Sequence, residues 1–133
     1  MARLTTIIEG LHAKGYLHND LHEAQVAVEF VGGEVDVTLL DLGKVRKIGG
    51  RPFIENASKC KTDRDIRRLC AEFDQLSPEA ASGNETTTAS DVFSLGTIVR
   101  FVGLAKKYKV LKTLTARATN FNPIRRPLLE EFK

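Results

Sequence analysis

The stretch His18-Asn19-Asp20-Leu21-His22-Glu23-Ala24-Gln25, followed further on by Leu39-Leu40-Asp41-Leu42-Gly43, decides the reading of this chain. Each acidic residue closes a short apolar run that reads as a strand. Asp20 stands beside Leu21, a residue type that is normally buried, so its carboxylate would be fixed and able to accept a proton or a hydrogen bond. Asp41, two residues before Gly43, places a second carboxylate at a flexible corner, which suits a hard cation. Taken singly, a turn-capping Asp at 20 and a strand terminator at 41 explain the residues equally well. The order of the surrounding elements decides between these readings.

Upstream, Leu4, Ile7, Ile8 and Leu11 recur at helical spacing and end at Gly15-Tyr16, which predicts one amphipathic helix. Val26 to Phe30 and Val35 to Leu40 are β-branched runs separated by Gly32-Gly33, the pattern of a hairpin. From Lys44 to Leu76 the periodicity weakens, predicting a long loop with one helical turn around Ile66 to Phe73. Ser90-Asp91 is expected to cap an apolar helix through Val92, Leu95, Ile98, Val99 and Val102. A further helical stretch over Val110 to Ala118 puts Leu111, Leu114 and Ala118 on one side. Asn122-Pro123 breaks the chain, and Pro127 opens a last short helix through Phe132. This order predicts an α+β, mainly helical fold forming one domain over residues 1–133.

Composition removes several function classes. With 133 residues, 42% hydrophobic and 28% charged, the chain has the make-up of a soluble globular domain and not of a disordered one. Its 20 basic and 17 acidic residues are interspersed, so the net charge of +3 does not imply nucleic-acid binding. Lys44, Arg46, Lys47, Arg51, Lys59, Lys61, Arg64, Arg67 and Arg68 make the middle locally basic and read as a solvated loop face. Two cysteines, Cys60 and Cys70, do not make a disulfide framework, and no secretory leader is read, so a cytoplasmic, intracellular setting is expected. The apolar stretch from Val92 to Ala105 is short for a membrane span and contains Arg100. His18 and His22 have a metal-pair spacing, with Asp20 and the cysteines as further ligands. No H-E-x-x-H is present and the cysteines are distant in sequence, so zinc is a minor reading.

Three later segments complete an ordered series: Ser77-Pro78-Glu79, Ser90-Asp91-Val92-Phe93-Ser94-Leu95-Gly96 and Asn122-Pro123-Ile124-Arg125-Arg126-Pro127. With the two acidic motifs and the hairpin between them, the series resembles the C-terminal lobe of the protein kinase domain. The motifs correspond to its H-R-D-L-x-x-x-N loop, D-F-G, A-P-E, central helix and D-P-x-x-R-P segment. The resemblance implies a catalytic loop at 18–25, an activation segment at 41–79 and a helical remainder at 80–133. It further implies Asp20 as catalytic base, Asp41 and Gln25 as Mg²⁺ ligands on the phosphates of ATP, and Ala27 beneath the adenine. Structural roles are implied for His18 as a packed core histidine, Asp91 as acceptor of loop backbone donors, and Glu79 with Arg126 as a buried ion pair.

The departures matter as much. Asn19 replaces the family's Arg, His22 its Lys, Gln25 its Asn and Leu42 its Phe, while Ala27 gives a shallow nucleotide floor. The 133 residues contain no G-x-G-x-x-G loop and no V-A-I-K lysine, and one helix precedes the loop. The expectation is therefore a C-terminal lobe without its N-terminal lobe. Alone it would hardly bind nucleotide and would lack useful catalysis, and it would take ATP only once that lobe is supplied. The family's partners are ATP and a protein substrate, with no nucleic acid and no membrane implied. One alternative is a non-catalytic pseudokinase scaffold that binds protein partners. Another is a small-molecule phosphotransferase of the aminoglycoside or choline type, favoured by Leu21-His22 and opposed by Ser77-Pro78-Glu79 and Arg126-Pro127. His22-Glu23-Ala24 matches neither the Ser/Thr nor the Tyr variant of the loop.

Overall fold

Gly32 and Gly33 both take positive φ, 59° and 85°, the geometry that a two-residue hairpin turn with the twist of its strands requires. In the computed structural model, which describes residues 1–51 and 60–133, this turn joins two of the four strands. These are β1 (Tyr16–Leu17), β2 (Val26–Val31), β3 (Glu34–Leu39) and β4 (Arg46–Lys47). β2 and β3 pair antiparallel, from Val26 opposite Leu39 to Val31 opposite Glu34. β1 and β4 form a second antiparallel pair, with Tyr16 opposite Lys47 and Leu17 opposite Arg46. This second sheet is not legible in the sequence, because two-residue strands are too short to show alternation.

The helices are α1 (Ala2–Ala13), α2 (Asp63–Glu72), α3 (Pro78–Ala81), α4 (Thr88–Phe101), α5 (Leu104–Lys107) and α6 (Lys109–Ala118). 3₁₀ turns cover Glu23–Gln25, Pro123–Arg125 and Leu129–Phe132. The fold is α+β and mainly helical. α4 is the central strut: every residue from Ser90 to Val99 is buried. Its Val92, Leu95, Ile98 and Val99 meet Leu4 and Ile8 of α1, Leu21, Leu114 and Ala118 of α6, and Leu129 and Phe132. Gly96 permits the close crossing of α4 and α6, since a Cβ there would lie 2.7 Å from the Ala118 Cβ. A smaller cluster of Leu69, Cys70, Leu76, Ala80 and Ala81 joins α2 to α3.

The last helix is a 3₁₀ turn that opens at Leu129 and not at Pro127, because Leu128 is still extended and serves as its cap. Two further boundaries differ from the sequence expectation. α4 starts at Thr88, with Thr87 and Ser90 exchanging capping hydrogen bonds, so Ser90 and Asp91 lie inside its first turns and do not precede it. α2 is a ten-residue helix, not one turn. Thr62 and Asp65 close a reciprocal capping box, and Asp63 and Asp65 sit in the first turn, where the helix dipole favours negative charge. Its exposed face is so polar that the apolar stripe of Ile66, Leu69 and Cys70 is thin. Residues 52–59 of the expected long loop, Lys59 among them, lie outside the described residues. No described helix is long and apolar enough to cross a membrane.

Candidate functional site

The site is built outward from Asp91, fully buried in α4. Its Oδ2 accepts the main-chain N–H of His18 at 2.8 Å, and Oδ1 accepts that of Asn19 at 3.0 Å. The His12 Nε2 donates to Oδ2 at 2.8 Å from the last turn of α1. One carboxylate thus ties α1, α4 and the 18–20 loop together through three donors. A buried charge is tolerated only when its lone pairs are satisfied in this way.

The held loop takes a bent shape. Asn19 adopts φ 62°, a left-handed conformation that Asn tolerates better than most residues. Its side chain bridges two other segments: Oδ1 accepts from the Thr86 hydroxyl at 2.9 Å, and Nδ2 donates to the Lys44 carbonyl at 3.3 Å. His18 is fully buried, and its Nδ1 accepts the Asp20 N–H at 3.3 Å, which places the ring proton on Nε2. That Nε2 finds no hydrogen-bond partner among the described residues. Next to it Leu21 is wholly buried, anchoring the segment that carries Asp20.

The two acidic motifs meet at this loop. The Asp20 Oδ2 lies 3.2 Å from the Lys44 Nζ, and Lys44 is three residues beyond Asp41. Asp41 is exposed and takes φ 48°, and its Oδ1 accepts the Gly43 N–H at 3.0 Å. A side chain at 43 would intrude here, since a Cβ would fall 2.9 Å from that oxygen. Gln25 abuts the same turn through the backbone, its carbonyl accepting the Leu40 N–H at 2.8 Å. Ala27 is half-buried in β2, opposite Thr38.

Hard oxygen donors at Asp41 and Gln25 are the chemistry Mg²⁺ prefers when it is held by one or two protein groups and by phosphate oxygens. Asp41 and Gln25 both carry such oxygens, and Oδ1 of Asp41 is turned to the Gly43 N–H. The described residues bring together no group of three His, Cys, Asp or Glu side chains fit to hold a metal. Cys60 packs against the α2–α3 cluster that contains Cys70, so the two cysteines are neighbours although ten residues apart in sequence.

Glu79 and Arg126 form a second anchor. Nη1 and Nη2 of Arg126 donate to the two Glu79 oxygens at 2.6 and 2.8 Å, a bidentate fork. The remaining donors reach the carbonyls of Ala89, Asn120 and Phe121, and the guanidinium carbon lies 5.0 Å from the centre of the Phe93 ring. Ser90 Oγ donates to Glu79 Oε1 at 2.7 Å. Burial pushes the Glu79 carboxyl up, but hydrogen bonding and charge from Arg126, with help from Ser90, outweigh it and hold the group below the usual carboxylate range. Burial also pushes the nearby Cys70 thiol up, to about 11.

Sequence reasoning missed His12, Lys44 and Thr86. His12 carried a usable signal, lying four residues after the buried Ile8 on the inward face of α1. Lys44 was hidden among the basic residues assigned to a solvated loop face. Thr86 is buried by contacts from distant segments, and nothing local marks it.

Comparison with known proteins points to one group. Over 129 aligned residues the chain is 29% identical to the serine/threonine-protein kinase PknD of Protochlamydia amoebophila, covering 92% of this chain and 11% of that protein. Over 99 residues it is 24% identical to the serine/threonine-protein kinase PDK1 of Cryptococcus neoformans var. grubii serotype A, covering 74% of this chain and 7% of that protein. No protein-family model matches the chain. The chain therefore has weak local similarity to serine/threonine protein kinases and spans about a tenth of the length of the curated relatives it matches.

Proposed function

We propose that this chain is a protein-kinase-like C-terminal lobe, with residues 18–25 as catalytic loop and residues 41–79 as activation segment. The observation that supports the proposal is the grip of Asp91 on the backbone of His18 and Asn19, beside Asp20, whose carboxylate pairs with Lys44 three residues after Asp41. The family's reaction breaks the bond between the γ-phosphorus of ATP and the ADP oxygen and forms one to a protein hydroxyl, whose proton passes to Asp20. Mg²⁺ held by Asp41 and Gln25 would neutralise charge on the phosphates. Ala27 underlies the adenine, and His18, Asp91, Glu79 and Arg126 keep the parts in place.

Gln25 carries one methylene more than Asn, and Asp20 is engaged by Lys44. Displacements near 1 Å can cost on the order of 10²-fold in rate. The 133 residues hold no G-x-G-x-x-G loop and no V-A-I-K lysine, the parts that cover and orient the phosphates, so the chain by itself binds Mg·ATP weakly and does not turn it over. Titration calorimetry tests this. The isolated chain should give heats too weak to fit, whereas the chain joined to a lobe carrying a glycine-rich loop and lysine should bind. A joined form that does not bind Mg·ATP would end the phosphotransfer reading.

A second reading, a non-catalytic module that binds protein partners, is favoured by exposed apolar side chains. Phe30 on the hairpin is 80% exposed, and Ile124 is 90% exposed. Capture of no partner at micromolar affinity by the intact chain would count against it. Both relatives named above are protein kinases, so the protein branch is preferred to aminoglycoside or choline phosphotransfer.

A further inference from the structure

Resting on the phosphotransferase reading, we infer that Lys44 is the anion-contacting cation of the site. Its ammonium would turn from Asp20 to the phosphate oxygens of an incoming nucleotide.

Charge balance is the first ground. On that reading, Asp20 and Asp41 are two carboxylates beside the place where a polyphosphate must sit. A single divalent ion does not offset two carboxylates together with a nucleotide's phosphates. Among the described residues, Lys44 is the one cation paired with Asp20, at 3.2 Å.

Placement is the second ground. The Asp41-Leu42-Gly43-Lys44 turn is specified at each step: Asp41 is left-handed, Gly43 donates to it, and Val45 N–H returns to the Leu42 carbonyl at 3.1 Å. The Lys44 carbonyl is then pinned by Asn19, which is itself locked by the buried Thr86 hydroxyl and by Asp91. The backbone of Lys44 is fixed while its side chain is half exposed. This suits a flexible stem that swings an ammonium from one anion to another.

The test labels the lysines of the intact chain as ¹³C-dimethylamines, which keep their charge, and titrates them with Mg·ATP and with inorganic tripolyphosphate. The Lys44 signal, assigned by its loss in Lys44→Arg, should move with both ligands, and an unlabelled Lys44→Met chain should bind tripolyphosphate about tenfold more weakly. Lys44→Arg should bind within about threefold of the parent, because the charge is retained. Lys112→Met should bind as the parent does. A stationary Lys44 signal while the Asp41 and Gly43 amides shift would overturn this inference and leave the nucleotide reading intact. The shifts report weak binding that calorimetry does not resolve, and if none of these signals moves even at millimolar ligand, the nucleotide reading itself fails and takes the inference with it. Unchanged tripolyphosphate affinity in Lys44→Met would also overturn it.

Discussion

Asp91 Oδ2 accepts the main-chain N–H of His18 at 2.8 Å, so a residue in the middle of the chain fixes the shape of the loop that carries Asp20. Asn at this position keeps the volume but turns an amino group toward a donor. Each buried donor left unpaired costs about 1–3 kcal/mol. Asp91→Asn should therefore lower the urea midpoint and also collapse the dispersion of the Asn19 and Asp20 amide signals. A variant with parental midpoint and parental amide shifts would show that the carboxylate does not hold the loop.

The Glu79–Arg126 fork predicts a pH dependence with a definite sign. The folded-state carboxyl is held below its ordinary value, so its stabilising contribution is complete above the unfolded value, near 4.3, and is lost as pH falls through the lowered folded value. Glu79→Gln leaves the buried Arg126 without its counter-charge, at a cost of about 3–5 kcal/mol near neutral pH. The gap between parental and Glu79→Gln stability should narrow as the pH is taken below about 4. A gap that stays constant across that range would show that Glu79 titrates as a free carboxyl.

Gly96 predicts a coupled pair. Alanine there would gain about 1 kcal/mol of helix propensity but would press on Ala118 at 2.7 Å, and overpacking costs about 1–3 kcal/mol. Gly96→Ala should destabilise the parent, and adding Ala118→Gly should recover much of the loss. Additive effects in the double-mutant cycle would mean that α4 and α6 are not in contact at this point.

Cys70 should be slow to alkylate. With its thiol pushed up to about 11 by burial, little thiolate forms near pH 8, and the sulfur is covered. Iodoacetamide should modify Cys70 about tenfold more slowly in the folded chain than in urea. Equal rates would place Cys70 outside the α2–α3 cluster.

Much of the fold was legible because strong local signals coincide with the tertiary outcome. The Gly32-Gly33 turn, the stripe of α1 and the apolar run of α4 each declare themselves. What stayed hidden is set by distance or by polarity. β1 and β4 are too short to show a pattern, and α2 depends on a capping box within a basic stretch. The true start of α4 is masked because the Thr87 cap lies among three consecutive threonines. Within the site, Asp20, Asp41 and Asp91 stood out through their neighbours in sequence. Lys44, His12 and Thr86 act only through partners that folding brings to them.

The most direct measurement of the central claim uses Mn²⁺·ATP, since Mn²⁺ accepts the same oxygen ligands as Mg²⁺ and broadens nearby resonances. Added at low stoichiometry to the ¹⁵N-labelled chain, it should broaden the amides of Asp20, Gln25, Asp41 and Gly43 together, and should leave those of α6 sharp. Broadening confined to one of the two acidic segments, or spread over the distant surface, would mean that Asp20 and Asp41 do not serve a single ion.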